Sequence, residues 1–224
     1  MLKVENVDGW GFKHAIRGMR NPMNSWEKSD SKTEYPNPQY GPDFGVFMVG
    51  ENDLNLMREL FKAGTEHRKY LRQIMVSMDI TAPLYWWKQF DRYQIGVTTN
   101  SCSTMYKIME KPFEINDFSF EKTQVYNEYL VIILGTLNHH RDCYINYDKY
   151  KAENTLRERI SKQDIFYSLI QLLPSSYNQK RTVTMNYENV FTIIRQRQGH
   201  KLDEWRELVN TLLRLPYVKE IGGI

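Results

Sequence analysis

Cysteine is nearly absent: Cys102 and Cys143 are the two thiols in 224 residues, too few for a disulfide framework. There is also no apolar run approaching the roughly 18 residues of a membrane-spanning helix, and no secretory leader pattern. A reducing cytoplasm with no membrane partner is the resulting expectation. Charge of one sign is lacking as well. Thirty Lys plus Arg against 27 Asp plus Glu leave +3, a field too weak to draw the chain onto nucleic acid. Internal repeats and low-complexity tracts are missing. What is present is core-forming material: 41% hydrophobic and 13% aromatic residues mark a folded chain, and 224 residues suit one domain or two small ones. One interruption is expected at 21–45, where Pro, Ser, Asn, Asp and Gly cluster into a long irregular loop.

Periodicity supplies the scaffold. Leu54, Met57, Leu60 and Phe61 recur at helical spacing between Asp53 and Gly64, predicting a helix over 53–63. Ile74, Val76, Met78 and Ile80 alternate with Met75, Ser77, Asp79 and Thr81, the pattern of a strand with one apolar face. Pro83 opens a short helix over 83–92, which delivers 93–106 as a loop. Longer helices follow at about 119–141 and 153–172, the second stopped before Pro174. Thr182 to Met185 reads as extended, Asn186 caps a helix to Arg197 with a Val190, Ile193, Ile194 stripe, and 202–213 closes the chain as a helix. The class is α+β, an antiparallel sheet flanked by long helices.

The stretch APLYWWKQFDRYQIGVTTNSCSTMYKI, residues 82–108, gathers aromatic, charged and thiol groups in one place. It resembles the flavin-dependent thymidylate synthases, in which a strand and short helix lead to a glutamine, then Arg-His-Arg, seven residues, a serine, one residue, and Arg-Tyr. Here Ala82-Pro83 leads to Gln89, then Arg92-Tyr93-Gln94, Ile95 to Ser101, and Cys102-Ser103-Thr104-Met105. A second block agrees in order and spacing. Leu173-Pro174 precedes Thr184-Met185-Asn186-Tyr187-Glu188-Asn189-Val190, with Arg197 eleven residues after Asn186.

This resemblance implies a homotetramer that binds FAD and dUMP, uses NADPH as reductant and takes a one-carbon unit from methylenetetrahydrofolate to make dTMP. It implies substrate contacts from Gln89, Asn100, Thr104 and Arg197, and cofactor contacts from Arg92, Tyr93, Gln94 and Asn186. Cys102 takes the place of the family serine and orients the pyrimidine; a shifted register, with Asp91-Arg92-Tyr93 as the triplet, gives that place to Ser101. The departures remove charge. Tyr93 replaces a histidine, Gln94 and Thr104 replace arginines, Asn100 replaces a glutamate, Glu188 an arginine, and Ile170 stands where the family has another phosphate-binding arginine. Bidentate arginines are what hold phosphate dianions tightly. A non-catalytic nucleotide-binding or structural oligomer on the same fold is therefore the alternative reading, and an enzyme acting on another nucleotide or with another reductant is a third.

Other clusters have plainer readings. Trp86 and Trp87 are core or interface anchors, or stack a flavin or base. His139 and His140 point about 100° apart on a helix and cannot readily share an ion, so no metal site is expected. Lys180, Arg181, Arg195, Arg197, His200 and Lys201 form a basic cluster that suits either a solvated face or an anion. Glu66-His67 is similar to a family Glu-His pair, but counting back from Ala82 puts Arg72-Gln73 at that place, leaving His67 structural or on the surface. Arg17 and Arg20 are further candidates near a nucleotide.

Overall fold

The structure is a computed structural model that describes residues 2–34, 46–120, 127–153, 155–156 and 159–224. In chain order the strands and α-helices are β1 (Lys3–Trp10), α1 (Phe12–Arg20), β2 (Lys32–Glu34), β3 (Val46–Met48), α2 (Glu51–Ala63), β4 (Met75–Pro83), α3 (Leu84–Phe90), β5 (Val97–Ser101), α4 (Thr104–Lys107), α5 (Asn127–Ile145), α6 (Tyr147–Ala152), α7 (Lys162–Leu172), β6 (Asn178–Asn186), α8 (Tyr187–Arg197), α9 (Asp203–Leu212) and α10 (Val218–Gly222). Four strands form a sheet of order β1-β4-β6-β5, and β2 pairs with β3 antiparallel. Side-chain contacts give the direction in the larger sheet. Ser77 faces Thr184, Asp79 accepts from Thr182, and the Tyr187 N–H reaches Ile74 O, so β4 rises as β6 falls and the pair is antiparallel. The class is α+β.

The chain clusters into two compact units. One comprises Met1–Lys3, Ile80–Arg92 and Asn100–Arg181. Its core is Ile108, Phe113, Phe118, Leu137 and Leu169, where α5 packs on α7. Trp86, Trp87 and Phe90 of α3 form an aromatic cluster with centroids 4.9–5.4 Å apart. Pro83 at the N-cap of α3 offers no side-chain acceptor; the first amides, Leu84 and Tyr85, donate instead to Tyr177 O and Ser175 O at 2.9 Å.

The other unit comprises Val4–Asp79, Tyr93–Thr99 and Thr182–Ile224. Val76 and Met78 of β4 are fully buried there, as are Val183 and Met185 of β6 and Val190 and Ile193 of α8. Asn186 caps α8 by accepting from Asn189 N at 3.0 Å, as its sequence position predicts. Arg20 and Asp53, both buried, pair at 2.5 Å and fix the chain between α1 and α2.

Several elements differ from the sequence reading. The expected loop 93–106 contains strand β5 and helix α4; Val97, Thr98 and Thr99 are β-branched and favour the extended chain. The helix expected from 119 does not begin there, because Phe118 bridges Tyr177 and Ser119 N donates to Ser176 O at 2.9 Å; residues 121–126 lie outside the described ones. The helix expected from 153 starts at Lys162, where Ser161 and Asp164 form a capping box. Strand β1 and helix α1 had no sequence expectation. Within the expected loop 21–45, Asn21–Met23 and Trp26–Lys28 are 3-10 turns and Lys32–Glu34 is strand β2, while 35–45 lie outside the described residues.

Candidate functional site

In the unit containing Asn100–Arg181, the motif residues gather around Gln179 of β6. Its side-chain amide donates to Cys102 O at 2.9 Å and to Thr104 Oγ1 at 3.3 Å, while Cys102 N donates to Lys180 O at 2.9 Å. The Gln179 side-chain carbonyl accepts from Arg181 Nε at 3.0 Å. Arg181 in turn pairs with Asp91 at 2.6 Å and lies 4.2 Å over the Trp87 ring, whose N–H donates to Gln179 O. Cys102, Thr104 and the end of α3 are thereby tied to one segment of β6. Asn100, Ser101 and Cys102 are exposed, Thr104 and Gln89 half-buried. Arg92 is exposed just past α3, and its guanidinium makes no hydrogen bond or ion pair with the described residues.

The unit containing Thr182–Ile224 holds Tyr93, Gln94, Asn186 and Arg197. Gly96 has φ +71°, and a Cβ there would lie 2.5 Å from Asn186 Nδ2, so the turn and the asparagine need a glycine between them. Asn189 Nδ2 donates to Ile95 O at 2.9 Å and to Asn186 Oδ1 at 3.0 Å. Arg197, in the last turn of α8, is half-buried. Its Nε donates to Tyr93 Oη at 2.9 Å, and its Cζ lies 4.4 Å from the Trp205 centroid and 5.7 Å from that of Tyr93. Nη1 and Nη2 have no protein partner among the described residues. Such a group is a held cation with two free donor edges. Burial pushes His200 below its ordinary pKa, and the charges of Arg197, Arg206 and Lys201 push it further the same way, so the imidazole is neutral near pH 7.

Glu188, where the resembled family has an arginine, is not an isolated acid. Arg68 binds it through two bonds, Nη2 to Oε1 at 2.7 Å and Nε to Oε2 at 3.1 Å. Nothing local signals this pair, because 120 residues separate its members. Arg20 is committed to Asp53, Ser25 and Lys28 O and is no free nucleotide ligand; Arg17 is exposed. Trp86 and Trp87 are buried core residues. His140 Nδ1 lies 2.8 Å from Thr136 O, and no cluster with metal-holding geometry occurs among the described residues. His67 and Gln73 line a cavity of about 430 Å³ together with Gly18, Pro22 and Tyr70. Gln179, Trp205 and Arg68 had not been singled out from the sequence. Each acts through contacts made far along the chain, which periodicity does not report.

The comparisons agree with one another. A family model described as thymidylate synthase complementing protein matches residues 16–219. Among solved structures, thymidylate synthase X from Helicobacter pylori with FAD and dUMP is 16% identical, with 95% of this chain and 92% of that one covered and a TM-score of 0.62. A second structure, the flavin-dependent thymidylate synthase of Helicobacter pylori complexed with FAD and dUMP, is 17% identical over 97% and 96% of the two chains, also at 0.62. No curated protein matches.

Proposed function

The chain belongs to the thymidylate synthase complementing protein family, and from that membership we propose that it binds dUMP and FAD and makes dTMP. The observation that carries this reading is Arg197: a half-buried guanidinium, fixed by Tyr93 and Trp205, with two free donor edges suited to a phosphate. Family membership adds Gln89, Asn100 and Thr104 of the other unit as nucleotide contacts to the proposal, with Cys102 or Ser101 orienting the pyrimidine. The flavin side is tested by its donor set. The side chains of Arg92 and Gln94 are exposed and make no hydrogen bond to the described residues, and Asn186 offers an amide beside the Gly96 turn. Arg92 in one unit, and Gln94 and Asn186 in the other, are each donors of a kind that a pyrophosphate or an isoalloxazine edge accepts. Bound flavin supplies the reducing equivalents, with NADPH as their source and methylenetetrahydrofolate as the one-carbon donor.

The match runs through both compact units, which supports reading 1–224 as one domain of the family. A homotetramer is part of the proposal. Tyr129, Val131 and Ile132 on α5 are 60–69% exposed, an apolar face that a second copy would cover. No helix among the described residues is long and apolar enough to cross a membrane, and with two cysteines in the chain we place the protein in the cytoplasm. A second reading, a non-catalytic nucleotide-binding or structural oligomer, is favoured by the Arg68–Glu188 pair, which puts a neutralised acid where the resembled family has an arginine.

The visible spectrum of the purified protein, before and after adding FAD, tests the cofactor, and a thermal-shift titration with dUMP tests the substrate. Flavin bands and a dUMP-dependent rise in Tm are expected. Colourless protein that takes up no FAD refutes the flavin, and the absence of a shift with dUMP leaves the structural reading ahead. Light scattering that finds a clean monomer refutes the assembly.

A further inference from the structure

We propose that Tyr93, which sits at the motif's histidine position, is a positioning residue for Arg197 and thereby serves the nucleotide side of the site. The inference rests on the nucleotide reading above. Three contacts carry it. The Tyr93 hydroxyl donates its proton to Gln196 Oε1 at 2.9 Å, which turns a lone pair toward Arg197 Nε, also at 2.9 Å. Trp205, fully buried, lies 4.4 Å from Arg197 Cζ, with its ring 6.0 Å from that of Tyr93 and inclined by 63°. Nε is therefore held by a neutral phenol and Cζ lies against a neutral indole, while the Nη edges have no partner among the described residues and are open to an anion. A histidine at this position would repel Arg197 whenever it carried a proton. A phenol accepts the same hydrogen bond with no positive charge at neutral pH. The substitution thus removes a cation from position 93 and holds the cation at 197 in one pose, which lowers the ordering cost of binding.

The test is calorimetric titration of FAD-treated protein with dUMP, on wild type, Tyr93→Phe, Arg197→Lys and the double variant. Tyr93→Phe keeps the ring and removes the bond; Arg197→Lys keeps the charge and removes the Nε donor, so binding stays measurable. Tyr93→Phe should weaken dUMP about five- to tenfold, the effect of losing one ordinary intramolecular hydrogen bond. In the Arg197→Lys background the same change should weaken it less than about twofold, because its partner is gone. FAD uptake by Tyr93→Phe should match wild type. Equal dUMP affinity in wild type and Tyr93→Phe overturns the inference alone, as does an undiminished effect in the Arg197→Lys background or a loss confined to FAD. Wild type that binds no dUMP overturns the nucleotide reading and the inference with it.

Discussion

Replacing Asp53 by alanine should be among the most damaging single changes in the molecule. The Asp53 carboxylate is buried and accepts from Arg20 Nε at 2.5 Å, Ser29 Oγ at 2.7 Å, Ser31 Oγ at 2.5 Å and Ser31 N at 3.1 Å. Arg20, also buried, spends its other donors on Ser25 O at 3.1 Å and Lys28 O at 3.2 Å. Asp53→Ala leaves that guanidinium buried without a counter-charge, and breaking a buried pair from one side costs about 3–5 kcal/mol. Asp53→Asn keeps the shape but loses the charge and should cost about 1.5–3 kcal/mol. Removing both charges with Arg20→Met and Asp53→Leu should cost less than the sum of the two singles. Urea titration followed by circular dichroism reads every variant, with the midpoint shifting at constant slope. Acid supplies an independent arm. Burial raises the Asp53 pKa, but hydrogen bonds from Ser31, Ser29 and Arg20 and the charge of Arg20 outweigh it, so the folded value lies below the ordinary one. The stabilisation is therefore fully present above the unfolded pKa near about 3.9 and is lost as pH falls through the folded value. The difference between wild type and Asp53→Asn should shrink below about pH 4. An Asp53→Ala cost under about 1 kcal/mol, or strictly additive singles, refutes the argument.

Two further changes test the scaffold of the site. Gly96→Ala forces a side chain onto φ +71° and brings its Cβ to 2.5 Å from Asn186 Nδ2; a loss of about 1–3 kcal/mol is expected, seen as a lower Tm. An unchanged Tm shows that the 95–96 turn is not clamped against Asn186. Leu169→Ala opens a cavity in a fully buried position between α5 and α7 and should cost about 2–5 kcal/mol in urea titration. A cost below about 1 kcal/mol is incompatible with that core.

Legibility in the sequence followed the range of the forces. The alternation of Ile74, Val76, Met78 and Ile80 is a two-residue repeat set by one buried face, and it predicted β4. Asn186 capping α8 is a three-residue interaction and was equally visible. The 93–106 segment failed because it carries little apolar rhythm after Ile95, while pairing with β6, more than 70 residues away, decides the strand. The contacts that define the candidate site are longer still: 104 residues between Tyr93 and Arg197, 120 between Arg68 and Glu188. The family blocks located these positions through their spacing, yet spacing carries no information about which partner each side chain meets.

The substitutions that looked like simple loss of charge have local counterweights. Glu188 in place of an arginine would leave an acid beside any anion, but the two-bond contact with Arg68 cancels its charge within hydrogen-bond distance. That cancellation has a direction. Arg68 cannot turn to a ligand without leaving Glu188 half-buried and unpaired, so it neutralises the acid without replacing the missing cation. Tyr93 works differently: it contributes no charge, yet it restricts Arg197 to one orientation. A site with fewer arginines keeps its affinity for a dianion only if those that remain are held in the pose the ligand requires, since the ordering cost is then met in folding and not in binding. Arg197 is held in that way and Arg92 is not, which puts the rigid cation on the proposed nucleotide side and leaves the proposed flavin side to one that no described residue orients.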